Sequence, residues 1–90
     1  MLFRSVEHRV IHALCDTAER EGRRGEGGIV LAPPPRAEDF AAEVGATRQS
    51  VSTVMAELVR SGILRRFGQH SVVISDIGRL RSRLTPAAAE

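Results

Sequence analysis

Four side chains of metal-ligand type recur at helical spacing near the start of the chain. They are His8, His12, Cys15 and Glu19, and on a helix they fall within one stripe about 60° wide. Imidazole, thiolate and carboxylate groups all bind transition metals. However, no second segment offers further ligands, and a lone cysteine more often serves as a small core residue. The sequence therefore predicts no metal site.

A second group of polar side chains suits hydrogen bonding to a nucleic acid. If residues 48–60 form a helix, its apolar positions share one face. The opposite face then carries Arg48, Gln49, Ser52 and Thr53. Arg48 has the geometry to bind guanine, and Gln49 to bind adenine, through two hydrogen bonds each. Thr47 and Ser50 can bind phosphate through hydroxyl and backbone N–H groups. One helix face is thus predicted to contact bases, and its start to contact the DNA backbone.

The surrounding pattern predicts the elements that position these side chains. Residues 37–44 and 48–60 have apolar residues at helical spacing. Between them, Gly45 suits a left-handed helix end and Thr47 suits an N-cap. The inward positions are Phe40, Ala41, Val44, Val51, Val54, Met55 and Leu58. Two helices joined by a short turn containing glycine form a helix-turn-helix.

Two β-rich runs, residues 63–67 and 71–75, flank a turn that contains Gly68 and predict a hairpin. A hairpin directly after a helix-turn-helix is the wing of a winged helix. Its candidate backbone contacts are Arg65, Arg66, Gln69 and His70. The remaining predictions are a helix over 5–21 capped by Ser5, a polar loop over 22–28, a strand over 29–31, and a helix over 77–84 capped by Asp76. The predicted fold is mainly α with a small antiparallel β-sheet (α+β), a winged helix-turn-helix.

Composition fits one small domain. The chain has 90 residues, of which 42% are hydrophobic and 27% charged, and no apolar run is long enough to span a membrane. One cysteine excludes an internal disulfide and favours a reducing, cytoplasmic setting. All 13 basic residues are arginine, and residues 46–90 carry a net charge of +4. The excess suits an anionic partner for that half, although charge alone favours the simpler explanation of an uneven surface. We expect one domain over residues 1–85 and a flexible tail over 86–90.

The stretch from Pro33 to Leu58 resembles the helix-turn-helix of the bacterial Crp/Fnr transcription regulators. Gly62-Ile63-Leu64 and the hairpin that follows resemble the wing of that family, and the stretch from Val6 to Glu21 resembles the helix that opens its DNA-binding domain. The resemblance covers about residues 4–84. It implies sequence-specific DNA binding, with a recognition helix over about 48–60 in the major groove and a wing over about 63–75.

The resemblance also implies partners. Family members bind pseudo-palindromic double-stranded DNA as homodimers in the bacterial cytoplasm, and RNA polymerase is a further candidate partner. Their sensory and dimerisation segments have no counterpart in this sequence, so we expect the chain to be the C-terminal module of a longer regulator or a truncated gene product, with a natural stand-alone protein as the alternative. Any effector would bind the sensory domain, and no cofactor is expected in this one.

The sequence departs from the family pattern at three positions. Arg48 and Val51 match the family's recognition helix, but Gln49 stands for a glutamate and Thr53 for a second arginine. The half-site should therefore differ from that of the cyclic-AMP receptor. Arg36 stands where a serine or threonine usually caps the first helix of the motif, and it is either a phosphate contact or a solvated side chain.

One alternative function uses the same fold, because winged helices also serve as protein-interaction modules without DNA. Such a module should expose large apolar side chains on residues 48–60 and on the wing, whereas this sequence places arginine, glutamine and hydroxyl groups there. An enzyme is not predicted, because no nucleophile–base arrangement or carboxylate pair stands out.

Overall fold

The structure, a computed structural model, describes residues 3–84. Within that range the chain forms four helices and four strands. In chain order they are α1 (Phe3–Glu21), β1 (Arg23–Gly25), β2 (Gly28–Leu31), α2 (Ala37–Val44), α3 (Arg48–Arg60), β3 (Leu64–Phe67), β4 (Ser71–Ile74) and α4 (Ile77–Ser82). This is the predicted α+β winged helix-turn-helix. None of these helices has the length and apolar character that crossing a membrane requires.

The core lies around α1, which packs against α2, α3, α4 and β2. Val10, Ile11 and Leu14 are fully buried. Ile11 is covered completely because other elements pack on several sides of α1. The predicted inward positions of the next two helices are confirmed as core residues: Phe40, Ala41, Val51, Val54, Met55 and Leu58. Val44 is half-buried and packs against that core.

The turn between α2 and α3 takes the predicted form. Gly45 has φ 73 and ψ 39, a left-handed conformation that glycine adopts without steric cost. The N–H groups of Gly45 and Ala46 both donate to the carbonyl oxygen of Ala41, each over 3.0 Å. Thr47 then caps α3, because its hydroxyl oxygen accepts from the N–H of Ser50. These three residues thus end α2, turn the chain and start α3.

The strands form one antiparallel sheet in the order β1-β2-β4-β3. Leu64 pairs with Ile74, and Arg66 pairs with Val72, along the β3–β4 hairpin. Because side chains alternate between the faces of a sheet, Leu64, Ile74 and Val72 share a face, and all three are buried in the core. Arg65 and Phe67 therefore project from the other face of β3. This alternation decides which wing residues lie beside α3.

The prediction of a polar loop over 22–28 is wrong. Residues 23–25 form β1, which pairs with β2 through a turn at Glu26 and Gly27. Gly27 has φ 88 and Gly28 has φ 139, values that favour glycine. All three residues of β1 are exposed, so the strand has no alternating apolar residues to mark it. The sheet consequently has four strands rather than the three predicted.

Two predicted helix ends also need correction. α1 begins at Phe3, so Ser5 lies inside the helix and is not its N-cap. α4 is capped by Asp76 as predicted but ends at Ser82. Beyond it, the N–H groups of Arg83 and Leu84 donate to carbonyl oxygens only three residues earlier, which is a tighter turn than an α-helix. The tail predicted over 86–90 lies outside the described residues.

Candidate nucleic-acid interface

The exposed face of α3 carries the four predicted base-contacting side chains. Arg48, Gln49, Ser52 and Thr53 are all exposed, as is Ala56 one turn further on. The buried face anchors the helix, since Val51, Val54 and Leu58 have no accessible surface. A helix held on one side and polar with small residues on the other can approach a groove closely.

A small hydrogen-bond network organises the start of α3. The N–H of Ser50 donates to Thr47 Oγ1 over 3.0 Å, and the Thr47 hydroxyl donates to Ser50 Oγ over 2.9 Å. The only proton of the Thr47 hydroxyl is therefore used within the protein. The Ser50 hydroxyl proton is not used by either bond. Together with the first N–H groups of α3, which have no partner within the helix, it can donate to an anion.

Further along α3, Thr53 Oγ1 donates to the carbonyl oxygen of Gln49 over 3.0 Å. This bond joins two of the predicted base-contacting residues, one helical turn apart. It uses the single hydroxyl proton of Thr53. Thr53 therefore has no hydrogen-bond donor left for a base.

Beside α3, a groove of about 370 Å³ brings together side chains from three elements. Arg36 comes from the start of α2, Ser52 from α3, and Arg66 and Gln69 from the β3–β4 hairpin. Ser71 also lines the groove. No acidic residue is among the described residues that line it, so two guanidinium groups set its charge. The groove thus suits an anion that bridges the helix-turn-helix and the wing.

The surface on the other side of Arg36 is more acidic than the groove. There a depression of about 640 Å³ is lined by the three acidic residues Glu21, Asp39 and Glu43 and, besides Arg36, by one further basic residue, Arg20. These carboxylates disfavour a polyanion next to α1. Arg36 itself is exposed, and as the N-cap residue of α2 it makes no side-chain capping bond. Its guanidinium is therefore not committed to the helix end, which agrees with the predicted departure from a capping serine or threonine.

Not all the predicted wing contacts lie in this groove. Arg65 is on the opposite face of the hairpin, with its guanidinium carbon 5.7 Å from the centre of the Phe67 ring. His70 is exposed in the hairpin turn but does not line the groove. Arg65 and Arg66 were both predicted as wing contacts, but the alternation of a strand places neighbours on opposite faces. Ser71 was not predicted, because its position in the groove depends on the pairing of β3 with β4.

The predicted stripe of metal-ligand types is split between core and surface. His8, His12 and Glu19 are exposed, whereas Cys15 is buried. Burial raises the pKa of the Cys15 thiol, and the nearby positive charge of Arg81 opposes this effect in part. Among residues 3–84, no group of three or more histidine, cysteine, aspartate or glutamate side chains has the geometry to hold a metal ion.

A helix-turn-helix with a polar second helix, followed by a hairpin that shares an arginine-lined groove with it, defines a winged helix-turn-helix domain of the nucleic-acid-binding class. The comparison with known families gives a narrower assignment. Residues 8–83 match the Crp-like helix-turn-helix domain family, and the chain belongs to it. The family consists of DNA-binding domains of transcription regulators and is not known for enzymes.

Individual relatives agree with this assignment. The chain is 34% identical over 83 residues to the CRP-like cAMP-activated global transcriptional regulator of Mycobacterium tuberculosis. The aligned region covers 92% of this chain and 37% of that protein. The CO-dependent transcription factor CooA from Carboxydothermus hydrogenoformans is 28% identical, with a TM-score of 0.78 over 87% of this chain and 36% of that one. The CO-sensing protein of R. rubrum shares the fold at 21% identity, with a TM-score of 0.69. The chain thus spans little more than a third of the relatives it matches.

Proposed function

We propose that this chain binds double-stranded DNA sequence-specifically, with α3 in the major groove and the β3–β4 hairpin against the adjacent backbone. One observation carries the proposal. The exposed polar face of α3 and an arginine-lined groove, formed with α2 and the hairpin, lie side by side on one surface. A major groove about 12 Å wide admits one helix, and the phosphates at its edge are within reach of the flanking groups.

The proposed contacts divide by chemistry. Base contacts come from Arg48 to guanine, Gln49 to adenine, and the shorter Ser52 and Thr53. Backbone contacts come from the start of α3, the groove and the wing. They are Arg36, Thr47, Ser50, Arg65, Arg66, Gln69 and His70. Of these, Arg36, Arg66 and Gln69 have the strongest support, because they line the same groove.

The partners of the longer protein belong to the same proposal. The chain spans 37% of its M. tuberculosis relative, and we expect the rest of the protein to supply dimerisation. Two copies would then bind the halves of a pseudo-palindromic site, with RNA polymerase as a candidate further partner. This assembly acts where the bacterial chromosome lies, in the cytoplasm. The isolated domain should bind weakly, because its second half-site contact is not linked to the first.

Salt titration of DNA binding tests the proposal directly. Fluorescence anisotropy of a labelled random-sequence duplex is measured from low to physiological salt. We expect binding at low salt, with the logarithm of affinity falling linearly with the logarithm of salt concentration, because phosphate contacts release counterions. The slope gives the number of phosphates contacted.

An absence of binding even at low salt contradicts the proposal and favours the protein-interaction alternative. One feature suits that alternative: Phe67 is 48% exposed, the one large hydrophobic side chain described as exposed in residues 6–84. It lies on the sheet face that points away from the groove. The exposed face of α3 itself carries no such side chain, and this favours DNA over a protein partner.

A further inference from the structure

We infer that Thr53 recognises thymine, by contact between its γ-methyl group and the C5-methyl of the base, and so specifies a thymine in each half-site. The inference rests on the proposed function. It names the group of the Thr53 side chain that meets the base and the base that this group selects.

The bond from Thr53 Oγ1 to the Gln49 carbonyl oxygen decides which group of the side chain meets the base. At 3.0 Å it has ordinary hydrogen-bond geometry, and it is local to the helix, so DNA binding does not need to break it. With its proton committed, the hydroxyl cannot donate to the acceptors of guanine, adenine or thymine, and its oxygen can only accept. The methyl group is the part of the side chain that remains for an apolar contact.

The position of Thr53 allows that contact. Recognition helices touch bases with the residues of their first turns, and Thr53 lies one turn after Gln49 on the same exposed face. Its neighbours on that face, Ser52 and Ala56, are small and exposed. The surface of α3 next to Thr53 is therefore low on that side, and a short residue can reach the base edges.

The chemistry of the major groove then selects the base. Thymine alone among the four bases presents a methyl group there, whereas cytosine presents an amino donor. A γ-methyl group packs against the thymine methyl and has no such partner on cytosine, whereas the hydroxyl oxygen would accept from a base amino group. Recognition by the methyl group and recognition by the hydroxyl therefore select different bases. Since Gln49 suits adenine, the two residues together predict neighbouring A·T pairs in the half-site.

Two conservative substitutions separate the methyl group from the hydroxyl. Thr53→Val keeps the methyl group and the branched side chain but removes the hydroxyl. Thr53→Ser keeps the hydroxyl and its bond to Gln49 but removes the methyl group. Thermal denaturation of both variants checks that the exposed substitutions leave the fold intact. The 90-residue chain and both variants are then used at low salt to select sites from the same random duplex pool.

We expect the unaltered chain and Thr53→Val to enrich the same thymine, and Thr53→Ser to lose enrichment at that position alone. Deoxyuridine lacks the methyl group of thymine. Replacing that thymine with deoxyuridine should therefore weaken binding of the first two proteins about fourfold, because one methyl group fewer is buried at the interface. The affinity of Thr53→Ser should not change.

The opposite pattern, with enrichment kept by Thr53→Ser and lost by Thr53→Val, assigns recognition to the hydroxyl and overturns the inference. Identical selection by all three proteins, or no selected position, overturns it as well. Binding of the random duplex at low salt is measured alongside. Its presence means that only the role of Thr53 has failed, and its absence means that the proposed function has failed.

Discussion

Arg48 and Arg66 carry the same charge and both are exposed, but they belong to different parts of the proposed interface. Arg48 stands at the first position of α3, where a side chain meets base edges. We expect Arg48→Ala to lose about 1–3 kcal/mol on the selected site and much less on random DNA. Anisotropy titrations with the two duplexes measure the difference.

Arg60→Ala is the matched control for Arg48→Ala. It removes the same charge from the same helix, but Arg60 lies in the last turn and pairs with Glu57 over 3.2 Å. Its loss should change both affinities little, because exposed ion pairs contribute about 0–1 kcal/mol. Equal losses on the selected and random duplexes for Arg48→Ala would contradict a base-reading role for that residue.

For Arg66 we expect a different signature. Its guanidinium lies in the groove with Arg36 and Gln69, so it should bind phosphate and carry no sequence information. Arg66→Ala should weaken binding to all duplexes alike. It should also reduce the slope of log affinity against log salt by about 0.9, the value for one phosphate contact. Salt titration of the variant on the random duplex measures both effects.

The comparison with Arg65→Ala makes this prediction specific to one face of the wing. The two arginines are neighbours on β3, but Arg65 lies over Phe67 on the face opposite the groove. We expect the larger loss for Arg66→Ala. A larger loss for Arg65→Ala would mean that the Phe67 face of the hairpin meets DNA, and the proposed orientation would have to be reversed.

At the scale of elements, the helix-turn-helix could be predicted from sequence and the groove beside it could not. α2 and α3 have apolar positions at helical spacing, a glycine at the turn and a threonine cap, and each signal is local. The groove depends on how β4 pairs with β2 and β3, because that pairing places Arg66 and Gln69 beside Ser52. β1 was missed for a related reason, since its exposed residues Arg23, Arg24 and Gly25 show no apolar alternation.

Two glycines that hold these elements together should differ in how well they tolerate a side chain. Both have positive φ, 73 at Gly45 and 139 at Gly28. An added Cβ at Gly45 meets no atom within 4 Å, whereas at Gly28 it collides with the carbonyl oxygen of Ile74 on β4. Gly45→Ala should therefore cost about 1 kcal/mol, from the backbone conformation alone. Gly28→Ala should cost about 3 kcal/mol, because the β2–β4 contact must also open.

Thermal unfolding measures this order, since 1 kcal/mol shifts the midpoint of a domain this size by about 4–8 °C. Glu26→Ala serves as the control, because Glu26 is exposed in the same β1–β2 turn and its substitution should leave the midpoint nearly unchanged. If Gly45→Ala proved as damaging as Gly28→Ala, the close approach of β2 to β4 would not be the cause.

The size and charge of this domain favour binding as two linked copies. The net charge of the chain is only +2, so non-specific attraction to DNA is modest and one half-site supplies few contacts. The domain is 35 Å along its longest axis. Half-sites one helical turn apart are separated by about 34–36 Å. Two copies can therefore lie side by side on successive turns of the major groove.

Joining two copies should convert weak binding into strong, spacing-dependent binding. We expect a dimerising coiled coil fused ahead of α1 to raise affinity for a duplex with two selected half-sites about 10²–10⁴-fold, because the second contact becomes intramolecular. Moving one half-site by half a helical turn places it on the opposite side of the duplex and should abolish the gain. Anisotropy titrations on the two duplexes, with the unfused chain as reference, measure the effect. A gain in affinity that is the same at both spacings would indicate an effect of added charge alone. The absence of any gain would contradict the paired arrangement, because a linked second domain in register must bind more readily than a free one.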